Sequence, residues 1–214
     1  MTFSDKGLNG SAGRINSREN LERLLTEMLG HPDRRVEITK TIESIFSQKK
    51  AVLVLDMSGF SRTTHFYGII PFLLMIHQMR MICKPCIECK NGKLIKADAD
   101  NLFCIFDTVD DAVSAIREMN NHLNAANEAL SLEHHLDAKF GIGYGDILNI
   151  ADEDIFGDEV NLASKLGEDI ACKGEVLLTS SARAELQGNE TGTREATISI
   201  SGLHLTYYIL ESQV

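Results

Sequence analysis

Residues 92–107, GKLIKADADNLFCIFD, read as two short strands folded about a tight turn, with Asp100 at the turn. Upstream, AVLVLD at 51–56 reads as a buried strand ending on Asp56, followed at once by Met57, Ser58, Gly59, Phe60 and Ser61. Between these segments the chain is helical from Ile69 to about Cys86, and downstream Asp110 to Leu130 forms a second long helix. Ala112, Val113, Ile116, Met119 and Leu123 share one face of that helix. AKFGIGYGDILNI at 138–150 returns to strand, Asp158 to Ile170 to helix, and EVLLT at 175–179 to strand. The chain closes on strands near Ala196–Ile200 and His204–Leu210. This order predicts an α+β domain over 51–214, with helices packed on one sheet and no internal repeat.

Ahead of that domain, residues 1–50 form a leader. Residues up to about Ser17 read as a flexible lead-in, and Leu21, Leu24, Leu25, Met28 and Leu29 then recur at helical spacing. Gly30, His31 and Pro32 break the helix, and a second pattern runs through Val36, Ile38, Ile42, Ile45 and Phe46. The leader is expected to pack against the domain.

The chain has 214 residues, 43% hydrophobic and 24% charged, which is enough apolar surface for one substantial core. A net charge of −10 argues against nucleic acid or an anionic membrane as partner, because such binding needs clustered Lys and Arg. It does not argue against nucleotides, since carboxylates collect a divalent metal and the metal brings phosphates with it. The apolar runs near Ile69–Ile76 and Ala51–Leu55 are too short to span a membrane, and Met1–Gly13 lacks the apolar core of a secretory signal. A cytoplasmic protein is expected. Its five cysteines are then reduced thiols, and Cys83, Cys86 and Cys89 read as buried or half-buried thiols at a helix end. Their spacing also suits zinc or an iron–sulfur cluster, but no nearby Cys or His supplies a fourth ligand.

Asp56 and Asp100 carry the chemistry. A carboxylate at a strand end beside a glycine turn can hold a metal while the turn's N–H groups face phosphate oxygens. Two such carboxylates converging from neighbouring strands are a way to place two divalent ions at a phosphoryl-transfer centre. Asp98 reads better as a solvated turn carboxylate.

The segments LDMSGFS at 55–61, IKADADNLFCIF at 95–106, GIGYG at 141–145 and DIFGDEVNLASKL at 154–166 resemble, in order and spacing, the class III adenylyl and guanylyl cyclases. The resemblance runs from about Ala51 to Leu210. It implies a ferredoxin-like core with a mainly antiparallel sheet, a homodimer, and active sites at the dimer interface. It further implies two Mg²⁺ or Mn²⁺ ions per site, on Asp56, Asp100 and the Met57 backbone carbonyl, with Gly59, Phe60 and Ser61 against the substrate phosphates. Lys96 and Asp154 resemble the pair that reads adenine, where guanylyl members generally carry Glu and Cys-like residues, so ATP is the expected substrate. Asn161 matches the asparagine that positions the ribose, and Lys165 stands one turn later where the family usually has arginine. Catalytic roles are expected for both. Ala99 stands where the family usually has glycine, a departure expected to tighten that turn, and no lysine stands near Ser199–Ser201; Lys165 and this missing lysine imply slow turnover or an activating partner or regulatory domain. Two alternatives stay open: a guanylate or relaxed-specificity cyclase, and a weakly active nucleotide-binding regulatory module of the same fold.

Overall fold

The computed structural model describes residues 15–58, 64–66, 68–187, 192–200 and 203–211. The expected flexible lead-in therefore lies largely outside the described residues. Eight strands form one sheet in the order β2 (Lys93–Asp98), β3 (Asn101–Phe106), β1 (Ser47–Met57), β4 (Ala138–Ile150), β6 (Val176–Thr179), β8 (Leu203–Leu210) and β7 (Thr193–Ile200), and β5 (Asp154–Phe156) pairs with β4. All pairings are antiparallel except β4 with β6. β1 begins at Ser47, ahead of the apolar run, because pairing with the long β4 carries it back to Leu148.

β1 is buried on both sides, which its unbroken apolar run anticipates. Side chains alternate faces along a strand. Ala51, Leu53, Leu55 and Met57 pack with α3 (Ile69–Cys89) and α4 (Val109–Asn127). Val52 and Val54 face the other way, in a cluster with Ile105, Ile147, Val160 and Ala163. Val160 and Ala163 belong to α5 (Asp158–Ser164), so helices cover both faces of the sheet. The alternation puts Asp56 on the α5 face.

α4 starts cleanly because Thr108 caps it, its hydroxyl accepting from Asp111 N at 3.1 Å. α3 runs past Cys86 to Cys89 and carries Pro85 within it. The expected single helix over 158–170 divides: α5 ends at Ser164 and Lys165–Ile170 is a π-helix, closed by Ala171 N donating to Leu166 O at 2.8 Å. The wider turn seats Gly167 against β1 and β4, where an added Cβ would lie 2.9 Å from Val54 O and 3.0 Å from Gly141 N.

The glycines of GIGYG have the same cause. A Cβ on Gly141 would lie 2.0 Å from Ala163 O, and one on Gly143 would lie 2.5 Å from Glu159 O. Helix α5 rests on bare strand backbone, and that contact sets the height of Asn161 and Lys165 above the sheet. Gly141→Ala is expected to separate the two and cost about 1–3 kcal/mol. Thermal unfolding should show the midpoint fall by roughly 2–12 °C; an unchanged midpoint would mean that the helix can lift without cost.

In the leader, α1 (Arg18–Gly30) and α2 (Arg35–Phe46) bury Leu24, Ile38, Ile42 and Phe46 with Ile150 of β4. Ser17 caps α1 through Asn20 N at 3.2 Å. Leu25, Leu29 and Val36, parts of the helical pattern, are exposed. The leader is tied down by Asn16, which donates to Asn149 O at 2.9 Å and accepts from Ala151 N at 2.8 Å.

Candidate active site

Asp56 pairs in register with Asn101 of β3 on one side and Lys139 of β4 on the other. The β2–β3 turn thereby brings Asp100 beside the end of β1, close enough for its charge to act on Asp56. Burial pushes the Asp56 carboxyl above its ordinary pKa, Lys139 opposes this by hydrogen bond and charge, and Asp100 and Glu168 add to the rise. Lys139 forms an ion pair with Asp56 and also donates to Glu168 O at 2.7 Å. Both partners are largely buried, at 17% and 14% side-chain exposure for Lys139 and Asp56, so this is not a surface pair.

Ala99 occupies the turn at φ +47°, a left-handed conformation that an L side chain adopts at a cost near 1 kcal/mol. That geometry is why glycine suits the position. Arg80 of α3 donates to Ala99 O and props the turn from below. Asp98 is exposed and Asp100 half-buried.

On the same sheet face, Lys96 Nζ lies 4.8 Å from the centre of the Phe103 ring and 2.7 Å from Asp154 Oδ1. β2 and β5 supply this pair from distant parts of the chain. Burial acts to raise the Asp154 carboxyl, but the Lys96 hydrogen bond and charge, the Ile155 N–H and Arg18 outweigh it and hold the group below its ordinary value. Asp154 is therefore a carboxylate that only accepts hydrogen bonds.

Asn161 is exposed on α5, and Lys165 N donates to Asn161 O, so the two are stacked one turn apart. Lys165 pairs with Asp169 within the π-helix. Met57 is buried at the end of β1. Gly59, Phe60 and Ser61 lie outside the described residues.

The donor set at Asp56 and Asp100 fits a hard divalent cation. It consists of carboxylate oxygens, and two more side-chain oxygens beside them in sequence, Ser58 Oγ and Asn101 Oδ1, are buried without a hydrogen-bond partner.

No protein-family model matches the sequence. A protein of Rhizobium meliloti (strain 1021) named "Putative adenylate cyclase 3" is 26% identical over 146 residues, 68% of this chain and 24% of its own length. The chain thus spans about a quarter of that relative. Among solved structures, an adenylate/guanylate cyclase/hydrolase from Silicibacter pomeroyi superposes with a TM-score of 0.67 at 22% identity, covering 78% of this chain and 98% of that one. The adenylyl cyclase CyaB from P. aeruginosa gives 0.63 at 20% identity, covering 78% and 97%. The fold is that of a class III nucleotidyl cyclase catalytic domain.

That cyclase fold does not by itself decide the base, since the guanylate cyclase domain of RhGC from Catenaria anguillulae, solved with GTP, also superposes, with a TM-score of 0.62 at 12% identity over 79% of this chain and 98% of its own. Among the described residues no helix is long and apolar enough to cross a membrane. Two polar neighbours of the candidate site have no counterpart in the sequence expectations. Lys139 is visible only once the β1–β4 register is known. Arg18, whose guanidinium lies 3.6 Å from Asp154, reaches the site from the leader.

Proposed function

We propose that this chain converts ATP to 3′,5′-cyclic AMP and pyrophosphate in a site shared by two copies. The observation that carries the reading is the Lys96–Asp154 pair at 2.7 Å, set on the same sheet face as Asp56 within a cyclase fold. An ionised Asp154 accepts from the exocyclic amine of adenine and repels the carbonyl that guanine presents there, while Lys96 donates to a ring nitrogen.

Two Mg²⁺ or Mn²⁺ ions, held by Asp56, Asp100 and the Met57 carbonyl, would supply activation of the ribose 3′-hydroxyl and charge neutralisation at the phosphates. Asn161 holds the ribose so that the 3′-oxygen faces the α-phosphate in line with the departing pyrophosphate. Lys165 leaves Asp169 to meet the charge that builds on the phosphoryl oxygens. As a point charge it lacks the two-pronged grip of arginine, which favours modest turnover. Lys139 must share or release Asp56 for the carboxylate to serve a metal.

A second copy is the occupant that suits the exposed apolar surface on α3. Ile69, Ile70, Leu73 and Leu74 are all at least half exposed, and Phe66 just ahead of them is 68% exposed. Covering them with a second chain would bury this surface.

The base assignment is tested by supplying ATP and GTP separately at equal concentration with Mn²⁺. The wild-type chain should make cyclic AMP at least about tenfold faster than cyclic GMP, the discrimination expected from one mismatched polar group. The paired change Lys96→Glu with Asp154→Cys should erase or invert that preference. Selectivity that survives the paired change would place base reading on other residues.

A further inference from the structure

Cys86 and Cys89 stand three apart on α3, and Glu118 and His122 stand four apart on α4, so each pair lies on one face of its helix. The two helices pack side by side, and the faces meet. One ligand atom each from Cys86, Glu118 and His122 lie within 4.8 Å of one another. Cys89 Sγ is 3.2 Å from Glu118 Oε2. The fourth ligand that the cysteine run lacks locally is therefore supplied, with a third, from residues more than a helix away in sequence.

We infer that Cys86, Cys89, Glu118 and His122 form a closed, four-ligand site for a borderline-soft divalent cation such as Zn²⁺, separate from the nucleotide site. Two sulfurs, one imidazole and one carboxylate match the ligand types and the tetrahedral number that Zn²⁺ takes. In such a site, metal–ligand distances of about 2.0–2.3 Å put neighbouring donors roughly 3.3–3.8 Å apart. Cys86, Glu118 and His122 need to contract by about an ångström, and Cys89, already against Glu118, joins them by a change of rotamer; Cys89 and His122 are both exposed. Mg²⁺ and Mn²⁺, which prefer oxygen, are poor occupants.

The surroundings bear on this. Lys90 Nζ lies 3.4 Å from Glu118 Oε2 and competes for that carboxylate. Cys86 Sγ donates to Ile82 O at 3.3 Å and Cys89 Sγ to Cys86 O at 3.2 Å, contacts that the thiols give up when they lose their protons to solvent on ligation. Cys83, one turn earlier, is fully buried and stays a core thiol.

The site would tie the end of α3 to α4. Beyond Cys89 the chain turns through Asn91 at φ +56° directly into β2, the strand that carries Lys96 and leads to Asp100. A metal at this corner therefore holds the base of the hairpin that bears the nucleotide-site residues.

The test uses the whole chain, stripped with a chelator, then loaded with Zn²⁺ in buffer containing excess Mg²⁺ and desalted. One zinc per chain should remain by elemental analysis, and Co²⁺ in its place should show thiolate-to-cobalt charge-transfer absorption. His122→Gln and Cys89→Ser, both at exposed positions, should each lower zinc affinity at least about tenfold. Asp56→Asn should retain the zinc, which separates this site from the nucleotide centre whatever becomes of the cyclase reading. Zinc at a hundredfold excess over its Kd should raise the unfolding midpoint by roughly 5–10 °C in wild type and much less in His122→Gln. Absence of retained zinc, a cobalt spectrum without thiolate bands, or equal zinc retention by the His122 and Cys89 variants would each overturn the inference.

Discussion

Asp56→Asn is expected to lower cyclic AMP formation about a thousandfold, the scale on which a metal's several kcal/mol of transition-state stabilisation is lost. Asparagine keeps the shape of the side chain but not its charge, and a neutral amide is a poor ligand for a divalent ion. The buried Lys139 ammonium is left facing an amide, so some loss of stability should accompany the loss of rate. Two comparisons separate these effects. Asp100→Asn, at a half-buried turn position without an ion pair among the described residues, should lose a similar share of activity with little change in unfolding midpoint. Asp98→Asn, exposed two positions earlier, should stay within about twofold of wild type, as surface changes away from a site do. If Asp56→Asn kept more than a tenth of wild-type turnover while folded, the carboxylate would not be a metal ligand.

Mixed dimers of Asp56→Asn and Asn161→Ala chains are expected to recover about a quarter of wild-type activity. Each single variant should be nearly inactive as a homodimer, because both sites carry its lesion. In a mixed dimer one site collects both lesions, while the other joins an intact Asp56 from one chain to an intact Asn161 from its partner. Random equal mixing makes half the dimers mixed, each with one sound site of two, which gives the quarter by symmetry. Co-expression with different affinity tags isolates the mixed species. If purified mixed dimers stay as inactive as either parent, the site is not shared across a two-fold axis.

The parts of this molecule that the sequence makes legible are those whose cause is local. The β2–β3 hairpin shows itself by its apolar arms and Asp-rich turn, and β1 by an apolar run that only a strand buried on both faces requires. Glycines at 141, 143 and 145 signal that something approaches the strand closely, although what approaches, the Ala163 and Glu159 backbone at the first two and the Glu159 side chain at the third, is supplied by tertiary packing. Helix ends shift where local pattern and packing diverge: α3 continues through Pro85, and the helix after Asp158 widens into a π-turn to seat Gly167. Leu25, Leu29 and Val36 share the helical periodicity of the leader yet stay exposed, because periodicity marks a face and not what covers it.

Contacts made by register were out of reach. Lys139 meets Asp56 because β1 and β4 align them, Arg18 meets Asp154 because the leader folds back, and Glu118 and His122 meet the cysteines because α3 and α4 lie side by side. None of these pairs is closer than 29 residues in sequence, the separation of Cys89 from Glu118, so no local spacing announces them. The Lys96–Asp154 pair is just as distant, 58 residues apart, and was legible through resemblance to a family and not through spacing.

The most direct measurement is to incubate the purified chain with ATP and Mn²⁺ and identify the products by liquid chromatography with mass detection. Formation of 3′,5′-cyclic AMP with an equal amount of pyrophosphate, abolished by chelation and by Asp56→Asn, is the predicted result. ATP recovered unchanged, or converted to ADP or linear AMP without any cyclic product, would contradict the account.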